Sequence, residues 1–548
     1  MRQVWRHSLK CVTAILLSFT FLSNFVDSAV AKEKGKPVPT INITSVTAGY
    51  DSLRYEGARM VAEEWRKLGF DVKIKTMDWK RIVQLGIREH TLGVTFLGWG
   101  GRPERIDPYY WLYSMYHSSG ARKGGRNIPH YKNPEYDALA EEFTTVGDLE
   151  QRRKIGFKLQ AMAARDVPLI PFFRRSPHYG YNGKELSNVK VMPGMGFQNF
   201  WNAIYAKPIG KNRNVRYGWN KDFISLNPLS TLQGNDHGAL RLMYDSLFRL
   251  SLEGKMVPWA ATSVKQVNTT TYDVTLRKGM KWHDGKPFTV DDVKFTYDLI
   301  KSSKAPYSGF RVRQMKQVNI LNENTLRFVL KKPFSPFVTY ALAEVFLLPK
   351  HIWGPKLKEL GNKKILNWEN LPVVGSGPFK FDYWRRGVEA KLVANRDYFQ
   401  PPVVDAFIYV PYGSVNTLVE GLAAGEINIS GLALEPIQIE RFKKSGRLQV
   451  ITAPELGLRT IHLNGQIEPF NRVEVRRALA SSVPKDKFVK VVLEGYGAAA
   501  YNVVAPENSY WHNPDTEKLG NNPKMAREIL TEAGYSWDSK GKLHYPAK

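Results

Sequence analysis

An α/β fold is predicted for this chain of 548 residues, because stretches with strand periodicity alternate with stretches of helical spacing. Residues 41–75 contain a strand pattern, a helix pattern and a second strand pattern. Residues 272–300 contain an alternating stretch followed by an amphipathic helix. The content of 43% hydrophobic and 24% charged residues is typical of a globular protein, and the length suffices for two or three domains.

The region from residue 41 to residue 75 predicts a βαβ unit. Residues 41–46 alternate as a strand, and residues 52–68 carry apolar side chains at helical spacing. Gly69 suits the position just after a helix end, and residues 72–75 alternate as a second strand. A strand, a helix and a strand in this order imply two parallel strands covered by the helix.

Three further elements follow in the first third of the chain. Residues 94–97 read as a buried strand that ends at a glycine-rich loop. Asp148 is a candidate N-cap for a helix running to about Arg165. Residues 167–173 predict a strand interrupted by proline.

The stretch 276–300 predicts a strand end, a turn and a capped helix. Thr289 is the expected N-cap of a helix that starts near Asp291. The helix dipole favours acidic side chains in this first turn. His283 and Asp284 stand next to each other on the turn before it. Adjacent turn residues rarely point at one substrate atom, so we interpret this pair as structural and not catalytic.

The first 31 residues predict a secretory signal peptide. Arg2, Arg6 and Lys10 precede an apolar run over residues 12–25, and a small-x-small cleavage pattern ends at Ala31. A membrane anchor is the alternative, but the apolar run is short for a spanning helix. The expected location is a bacterial periplasm.

The cysteine content and the distribution of charge limit the classes of function that fit the sequence. The only cysteine, Cys11, lies in the predicted signal, so the core alone must stabilise the mature fold. The formal net charge is +28, but basic residues are dispersed among acidic ones, and no zinc-finger, RNP or helix-turn-helix pattern is present. We therefore expect no nucleic-acid partner.

Residues 276–300, LRKGMKWHDGKPFTVDDVKFTYDLI, resemble the signature of the family-5 extracellular solute-binding proteins, the receptors of ABC importers for peptides, nickel chelates and some oligosaccharides. Flanking segments resemble the same family: MYDSLFRLSLEGKMVPWAA before it, and VVGSGPFKFDYW, NRDYF and LAAGEINIS after it. The resemblance implies a two-lobe periplasmic-binding-protein fold of type II-like topology with an extra subdomain. It also implies a peptide or small-molecule ligand, an inner-membrane ABC permease as partner, a monomer and no cofactor.

The order of the segments differs from that of the family. WGGRPERIDPYYWLYS resembles the family's closing half-lobe but stands early in the chain. RNVRYGWNKDFISLNPLSTLQ, from Arg213, resembles the usual mature N-terminus, and NNPKMAREILTEAGYSWDSKGKL resembles an internal segment. A circular permutation is therefore predicted, with the old ends joined near residues 207–213 and new ends opened between Lys542 and Ile41. A mis-assembled gene model is the alternative.

The permuted order predicts discontinuous lobes. After the signal at 1–31, the expected parts are lobe 2 (37–180), lobe 1 (181–249), its appended subdomain (250–355), lobe 1 continued (356–454) and the second part of lobe 2 (455–548). The crossovers near residues 180 and 454 would form a hinge.

Trp99 and the loop that follows it are the first candidate ligand site. Trp99 is expected to line the cleft and stack on the ligand, with core packing as the alternative. Peptide-binding members of the family carry an aspartate three residues after this tryptophan, which pairs with the α-amine of the peptide. Arg102 stands there in this chain, so the amine-pairing role does not carry over. Arg102 suits a carboxylate, a phosphate or a sugar hydroxyl, or alternatively a salt bridge to Glu104 or Asp107. Gly101 allows close backbone approach, and Asp107 either compensates for the missing acid or caps a turn.

Four more residues complete the predicted ligand site. Trp219 and Asn220 follow a strand at the family's ligand-facing loop, with core packing of the tryptophan as the alternative. His462 and Asn464 alternate with Leu463, so they share one face of a strand end, where a satisfied buried histidine is the commoner outcome.

The leading hypothesis is periplasmic capture of a peptide or similar small solute for import. An anionic or hydroxyl-rich non-peptide solute, a secreted hydrolase of peptides or glycans, and a sensor partner of a membrane receptor are the alternatives. Residues 375–377, Gly-Ser-Gly, lack the glycine spacing of a nucleophile elbow, and no HExxH motif occurs. No catalytic residue, metal ligand or cofactor is predicted.

Overall fold

The computed structural model describes residues 35–547 except Arg102, Gly446, Arg447 and Pro454. The predicted signal peptide at 1–31 and the candidate ligand residue Arg102 therefore lie outside the described residues. Across the part of the chain that is described, no helix is both long and apolar enough to cross a membrane.

The strands form one six-stranded, one seven-stranded and one four-stranded sheet, with three two-stranded ladders. In chain order, the strands of the described residues are β1 (Ile41–Ser45), β2 (Val72–Thr76), β3 (Val94–Trp99), β4 (Leu169–Arg175), β5 (His178–Asn182), β6 (Leu186–Ser187), β7 (Lys207–Pro208), β8 (Asn214–Trp219), β9 (Phe248–Leu250), β10 (Met256–Pro258), β11 (Ala261–Asn268), β12 (Thr271–Leu276), β13 (Met315–Asn322), β14 (Thr325–Leu330), β15 (Phe379–Arg385), β16 (Glu389–Ala394), β17 (Ala406–Pro411), β18 (Ile429–Ser430), β19 (Leu448–Thr452), β20 (Leu458–Leu463), β21 (Gly497–Ala499), β22 (Ser536–Trp537) and β23 (Leu543–His544).

The helices lie mostly between strands of the two larger sheets. The α-helices of the described residues are α1 (Ser52–Lys67), α2 (Trp79–Ile82), α3 (Pro134–Thr145), α4 (Leu149–Asp166), α5 (Phe200–Tyr205), α6 (Gly234–Met243), α7 (Val290–Ser303), α8 (Lys350–Lys364), α9 (Val415–Ala424), α10 (Pro436–Ser445), α11 (Val473–Ser482), α12 (Lys485–Val491) and α13 (Pro523–Glu532). Short 3-10 or π-helical turns occupy Val83–Arg88, Pro103–Ile106, Tyr110–Ser114, Ser118–Gly120, Val338–Leu342 and Ile365–Asn367.

The six-stranded sheet has the order β2-β1-β3-β20-β4-β21. β1 pairs in parallel with β2 and β3, and β20 runs antiparallel to β3 and β4. The predicted βαβ unit is confirmed, since α1 connects the parallel strands β1 and β2. Asp51 caps α1 by accepting from the Arg54 N–H at 3.1 Å, and Gly69 follows the helix with a φ of 95°.

Helix α4 begins as predicted, but the strand after it starts later than expected. The Asp148 carboxylate accepts from the Gln151 N–H at 2.6 Å, which caps the helix. The predicted strand over 167–173 begins at Leu169 instead. Val167 adopts left-handed backbone angles at the helix end, with a φ of 46°, so it cannot begin an extended strand.

The seven-stranded sheet has the order β15-β16-β17-β8-β18-β5-β19. The chain crosses between the two large sheets twice. Residues 176–177 link β4 to β5, and residues 453–457 link β19 to β20. The two crossings are neighbours, since the Ala453 N–H donates to the Pro177 carbonyl at 2.9 Å.

The four-stranded antiparallel sheet, in the order β11-β12-β14-β13, contains the predicted strand that ends at Leu276. Helix α7 follows with Thr289 as its N-cap residue, and the Asp292 carboxylate accepts from the Thr289 N–H at 2.8 Å. His283 contacts backbone on both ring nitrogens, at the Gly375 N–H (3.1 Å) and the Gly377 carbonyl (3.0 Å). Burial lowers the pKa of His283 to about 4, so a neutral ring ties the turn to this segment.

The hydrophobic side chains form separate cores around the sheets. One core, which includes Trp65, lies between the six-stranded sheet, α1 and α11–α13, and a second, which includes Trp111, covers the opposite face of that sheet. The largest core joins the seven-stranded and four-stranded sheets, and a small fourth core packs α9 and α10 onto the other side of the seven-stranded sheet. Both faces of each large sheet are therefore covered.

Residues near the two ends of the described chain pair with each other. The Val38 N–H donates to the Leu543 carbonyl at 3.0 Å, and the Tyr545 N–H donates to the Lys36 carbonyl at 2.9 Å. The Leu543 N–H in turn donates to the Gly69 carbonyl at 2.9 Å. This short ladder lies at the end of α1, on the side of the six-stranded sheet.

Candidate functional site

The loops of the two large sheets meet beside the paired crossings. A Cβ added to Gly101, two residues after the end of β3, would lie 2.5 Å from Glu455 Oε1 and 2.7 Å from Gly194 Cα. Gly194 belongs to the loop 192–196, in which a Cβ on Gly196 would meet the ring of Tyr179 on β5 at 2.3 Å. Only glycine fits at Gly101, because the backbone of the other sheet's loop already fills the space.

A second contact between the two halves involves Tyr109 and Thr144 on one side and residues 334–340 on the other. The ring centroid of Tyr109 is 5.2 Å from that of Phe334 and 5.6 Å from that of Tyr340, both in edge-to-face orientation. The Ser335 N–H donates to the Thr144 carbonyl at 2.7 Å. Together with the contact at Gly101, these residues define a line of contact that we call the seam.

Trp99 does not face the seam. Its side chain is 7% exposed and packs in the core that contains Trp111. The indole N–H lies 3.1 Å from Thr460 Oγ1 and 3.3 Å from His462 Nε2. Trp219 instead packs against the largest core, half-buried and stacked on Tyr217 with centroids 6.1 Å apart, so the two tryptophans belong to different cores.

His462 and Asn464 are buried in the six-stranded sheet. His462 is 1% exposed, its Nε2 lies 3.0 Å from Thr460 Oγ1, and burial lowers its pKa to about 3. The Asn464 amide donates to the His90 carbonyl at 3.0 Å and accepts from the Gln466 N–H at 3.1 Å. These contacts favour the structural alternatives that the sequence left open.

Asp107 forms a buried bidentate ion pair. Its two carboxylate oxygens each accept from Arg152 at 2.8 Å, and the side chains are 6% and 4% exposed. One of these oxygens also accepts from the Tyr109 N–H at 2.9 Å. Through these contacts Asp107 stabilises the turn formed by residues 107–109.

Of the remaining predicted site residues, Asn220 is half-buried beside Trp219. Gly101 is the one predicted and described site residue that lies at the seam.

Sequence reasoning passed over an aromatic pair next to this region. Tyr50 and Trp79 follow β1 and β2, and their rings stack with centroids 6.3 Å apart. Tyr50 is 56% exposed, and the Arg54 guanidinium carbon lies 4.8 Å from the centre of the Trp79 ring. The signal that could have found them is their position after parallel strands, because ligands of open α/β sheets bind at the carboxyl ends of the strands.

The crossing 453–457 places one acidic group beside Gly101. The Glu455 carboxylate accepts from the Gly457 N–H at 2.5 Å. Burial and the charge of Glu455 raise the pKa of Tyr179, so this phenol stays protonated. Within the ranges that the structure describes, no group of three or more histidine, cysteine or acidic side chains is arranged to hold a metal ion.

Comparison with known proteins identifies relatives of this chain. The family model for bacterial extracellular solute-binding proteins, family 5, matches residues 27–123 and 255–548. The oligopeptide-binding protein AppA of Bacillus subtilis is 34% identical over 294 residues, which are 51% of this chain and 52% of AppA. The dipeptide-binding protein of Escherichia coli is 26% identical over 283 residues, which are 48% of this chain and 52% of that protein.

The chain thus spans about half the length of the first curated relatives it matches. Among solved structures, AppA of Bacillus subtilis in complex with a nonapeptide is 28% identical, with a TM-score of 0.48 over 61% of this chain and 67% of that one. CtaP of Listeria monocytogenes is 23% identical, with a TM-score of 0.50 over 59% of this chain and 66% of that one. The latter similarity concerns the fold alone.

The two-part match of the family model covers more than half of the chain, and the fold has two large mixed sheets joined by paired crossings. The chain belongs to the bacterial extracellular solute-binding proteins, family 5.

Proposed function

We propose that the protein is the periplasmic substrate-binding component of an ABC importer, which captures a peptide or similar small solute between two lobes and delivers it to an inner-membrane permease. The observation that carries this proposal is the pair of adjacent crossings at 176–177 and 453–457. Two neighbouring linkers between two separately cored sheets form a hinge, and closure about a hinge buries a ligand from both sides.

The seam supports a closing motion. Gly101 contacts the 192–196 loop beside Glu455 of the second crossing, and Tyr109 contacts Phe334 and Tyr340 of the other half. The energy of closure would come from contacts that form only when the halves meet. Within this proposal, lobe 2 comprises residues 37–177 and 455–548, and lobe 1 with its subdomain comprises residues 178–454. The boundary expected near residue 180 moves to the crossing at 176–177, because β5 (His178–Asn182) belongs to the seven-stranded sheet.

The circular permutation remains part of the proposal. Residues 36–38 pair with residues 543–545, as expected if new chain ends were opened in a single loop. Residues 209–213, where the old ends would be joined, are exposed. A family match in two separate stretches is also the pattern that a rotated order would produce.

A peptide is the proposed cargo, because relatives of this chain are described as oligopeptide-, dipeptide- and glutathione-binding proteins. The permease, the monomeric state and binding without turnover are inferred from the same relationship. Asp107 is left out of the proposed ligand site, since its carboxylate is already engaged by Arg152. The proposed site is centred on Gly101 and the residues that follow β1, β2 and β8.

The test combines ligand capture with a matched pair of glycine variants. The full chain would be incubated with the small-molecule fraction of a bacterial extract, and its melting temperature, scattering radius and retained mass would be measured. We expect a higher melting temperature and a retained solute whose mass is unchanged after release. Gly101→Ala should weaken retention, whereas Gly100→Ala should not, because nothing lies within 4 Å of a Cβ at Gly100.

Three results would contradict the proposal. Absence of any retained solute would argue against capture, and a chemically altered solute would favour the hydrolase alternative. Equal retention by the Gly101→Ala and Gly100→Ala variants would remove the seam from the binding site.

A further inference from the structure

Arg459 lies at the start of β20, two residues after the crossing at Gly457. Its side chain covers Gly98 of β3, so that a Cβ on Gly98 would come within 2.9 Å of Arg459 Nε. Gly98 and Arg459 are paired across the two strands. The glycine therefore makes room for a guanidinium held flat against the end of the six-stranded sheet.

Among the described residues, the Arg459 guanidinium forms neither a side-chain hydrogen bond nor an ion pair within 4.0 Å. The carboxylates of Asp51 and Glu455 attract its charge from a longer range, and each of them already has a hydrogen-bond partner. Asp51 accepts from Arg54 Nε at 2.7 Å, and Glu455 accepts from the Gly457 N–H. Burial and the like charge of Arg175 lower the pKa of Arg459, while the charges of Asp51 and Glu455 act in the opposite direction.

Because Arg459 is only half-buried and its guanidinium has no direct partner among the described residues, its N–H donors are available to a ligand. Its donors form a planar fork that matches a carboxylate or a phosphate. The location is suitable for a ligand, because a Cβ on Gly457 would lie 2.7 Å from the Gly101 nitrogen at the seam. Tyr50 and Trp79, which are reached from the same edge of the sheet, offer an aromatic surface beside it.

We propose that Arg459 binds an anionic group of the captured solute, a carboxylate or a phosphate, and so selects for acidic cargo. This inference rests on the proposed capture of a solute between the lobes. It assigns a charge-recognition role to a residue of strand β20.

The experiment uses defined probes on the full chain. Melting temperature and calorimetric affinity would be measured with trialanine, with trialanine amide and with inorganic phosphate, each against sodium chloride at equal ionic strength. We expect a saturable response to trialanine or to phosphate and none to the amide. A response to trialanine alone identifies a carboxylate, and a response to phosphate identifies a phosphoryl group as sufficient.

Three variants make the assignment specific. Arg459→Gln should lower the affinity for the anion at least tenfold. Arg459→Lys keeps the charge but loses the planar set of guanidinium donors, so it should lower the affinity less. Arg386→Gln is the matched control, because Arg386 is 58% exposed in a surface pair with Glu369. Unfolding in urea would verify that each variant is folded.

The outcomes separate this inference from the proposed function. If an extract stabilises the wild type and Arg459→Gln equally, solute capture holds and the assignment of Arg459 is wrong. Equal binding of trialanine and its amide, or no saturable response to any anion, also overturns it. If neither extract nor probe affects the wild type, the proposed function fails as well.

Discussion

Replacing Asp107 by asparagine tests whether this residue supports the fold or binds the ligand. The Asp107–Arg152 pair is bidentate, with both oxygens 2.8 Å from guanidinium nitrogens and both side chains less than a tenth exposed. Removing one partner of such a buried pair costs about 3–5 kcal/mol, since the other charge stays buried. The variant also loses one charged acceptor near the Tyr109 N–H.

The assay is urea unfolding followed by tryptophan fluorescence, with the midpoint shift evaluated at constant slope. Asp107→Asn and Arg152→Met should each lose about 3 kcal/mol or more, and the double variant should lose less than their sum. Lys294→Met is the control, because the exposed Lys294–Asp298 pair should contribute less than about 0.5 kcal/mol. A stable Asp107→Asn variant that no longer retains solute would refute this reasoning and return Asp107 to the ligand site.

Three further predictions concern buried ionisable groups and the seam. Burial lowers the pKa of Lys485 from 10.5 to about 7, so stability should rise by about 2 kcal/mol from pH 7 to pH 9, and this rise should vanish in Lys485→Met. The pKa of His462 falls from 6.5 to about 3, so its contribution is complete above pH 6.5 and is lost on acidification. The wild type should lose about 2 kcal/mol more than His462→Gln between pH 7 and pH 5 in urea titrations. Tyr109→Ala removes two edge-to-face ring contacts of about 0.5–1.5 kcal/mol each, so small-angle scattering should report a larger radius; an unchanged radius would mean that the ring does not hold the halves together.

The local elements were predictable from sequence because their signals are local. The 3.6-residue spacing in 52–68, the cap at Asp148 and the alternation before Leu276 all lie within one element, and each is confirmed. The start of β4 was misplaced, because the left-handed turn at Val167 has no glycine to indicate it.

The candidate site was harder to predict, because its determinants are distant in sequence. Alternation places Trp99 and His462 on one face of the sheet, but both faces are covered, so the pattern cannot distinguish core from cleft. Arg152, the partner of Asp107, is 45 residues away in sequence. The sequence also does not indicate that the Arg459 side chain packs over Gly98 of a neighbouring strand. The need for glycine at 101 was the one site feature that composition could indicate.

The separation of its strands along the chain has a consequence for how the protein acquires its fold. The seven-stranded sheet is built from one continuous stretch, residues 178–452, whereas the six-stranded sheet requires β3 to find β20, with partners such as Trp99 and Thr460 separated by 361 positions. Each doubling of a closed loop adds about 0.6 kcal/mol of entropic cost, so this pairing becomes easier once the intervening stretch has collapsed. The central half can therefore fold before the rest of the chain is in place, whereas the six-stranded sheet is incomplete until β20 has joined it.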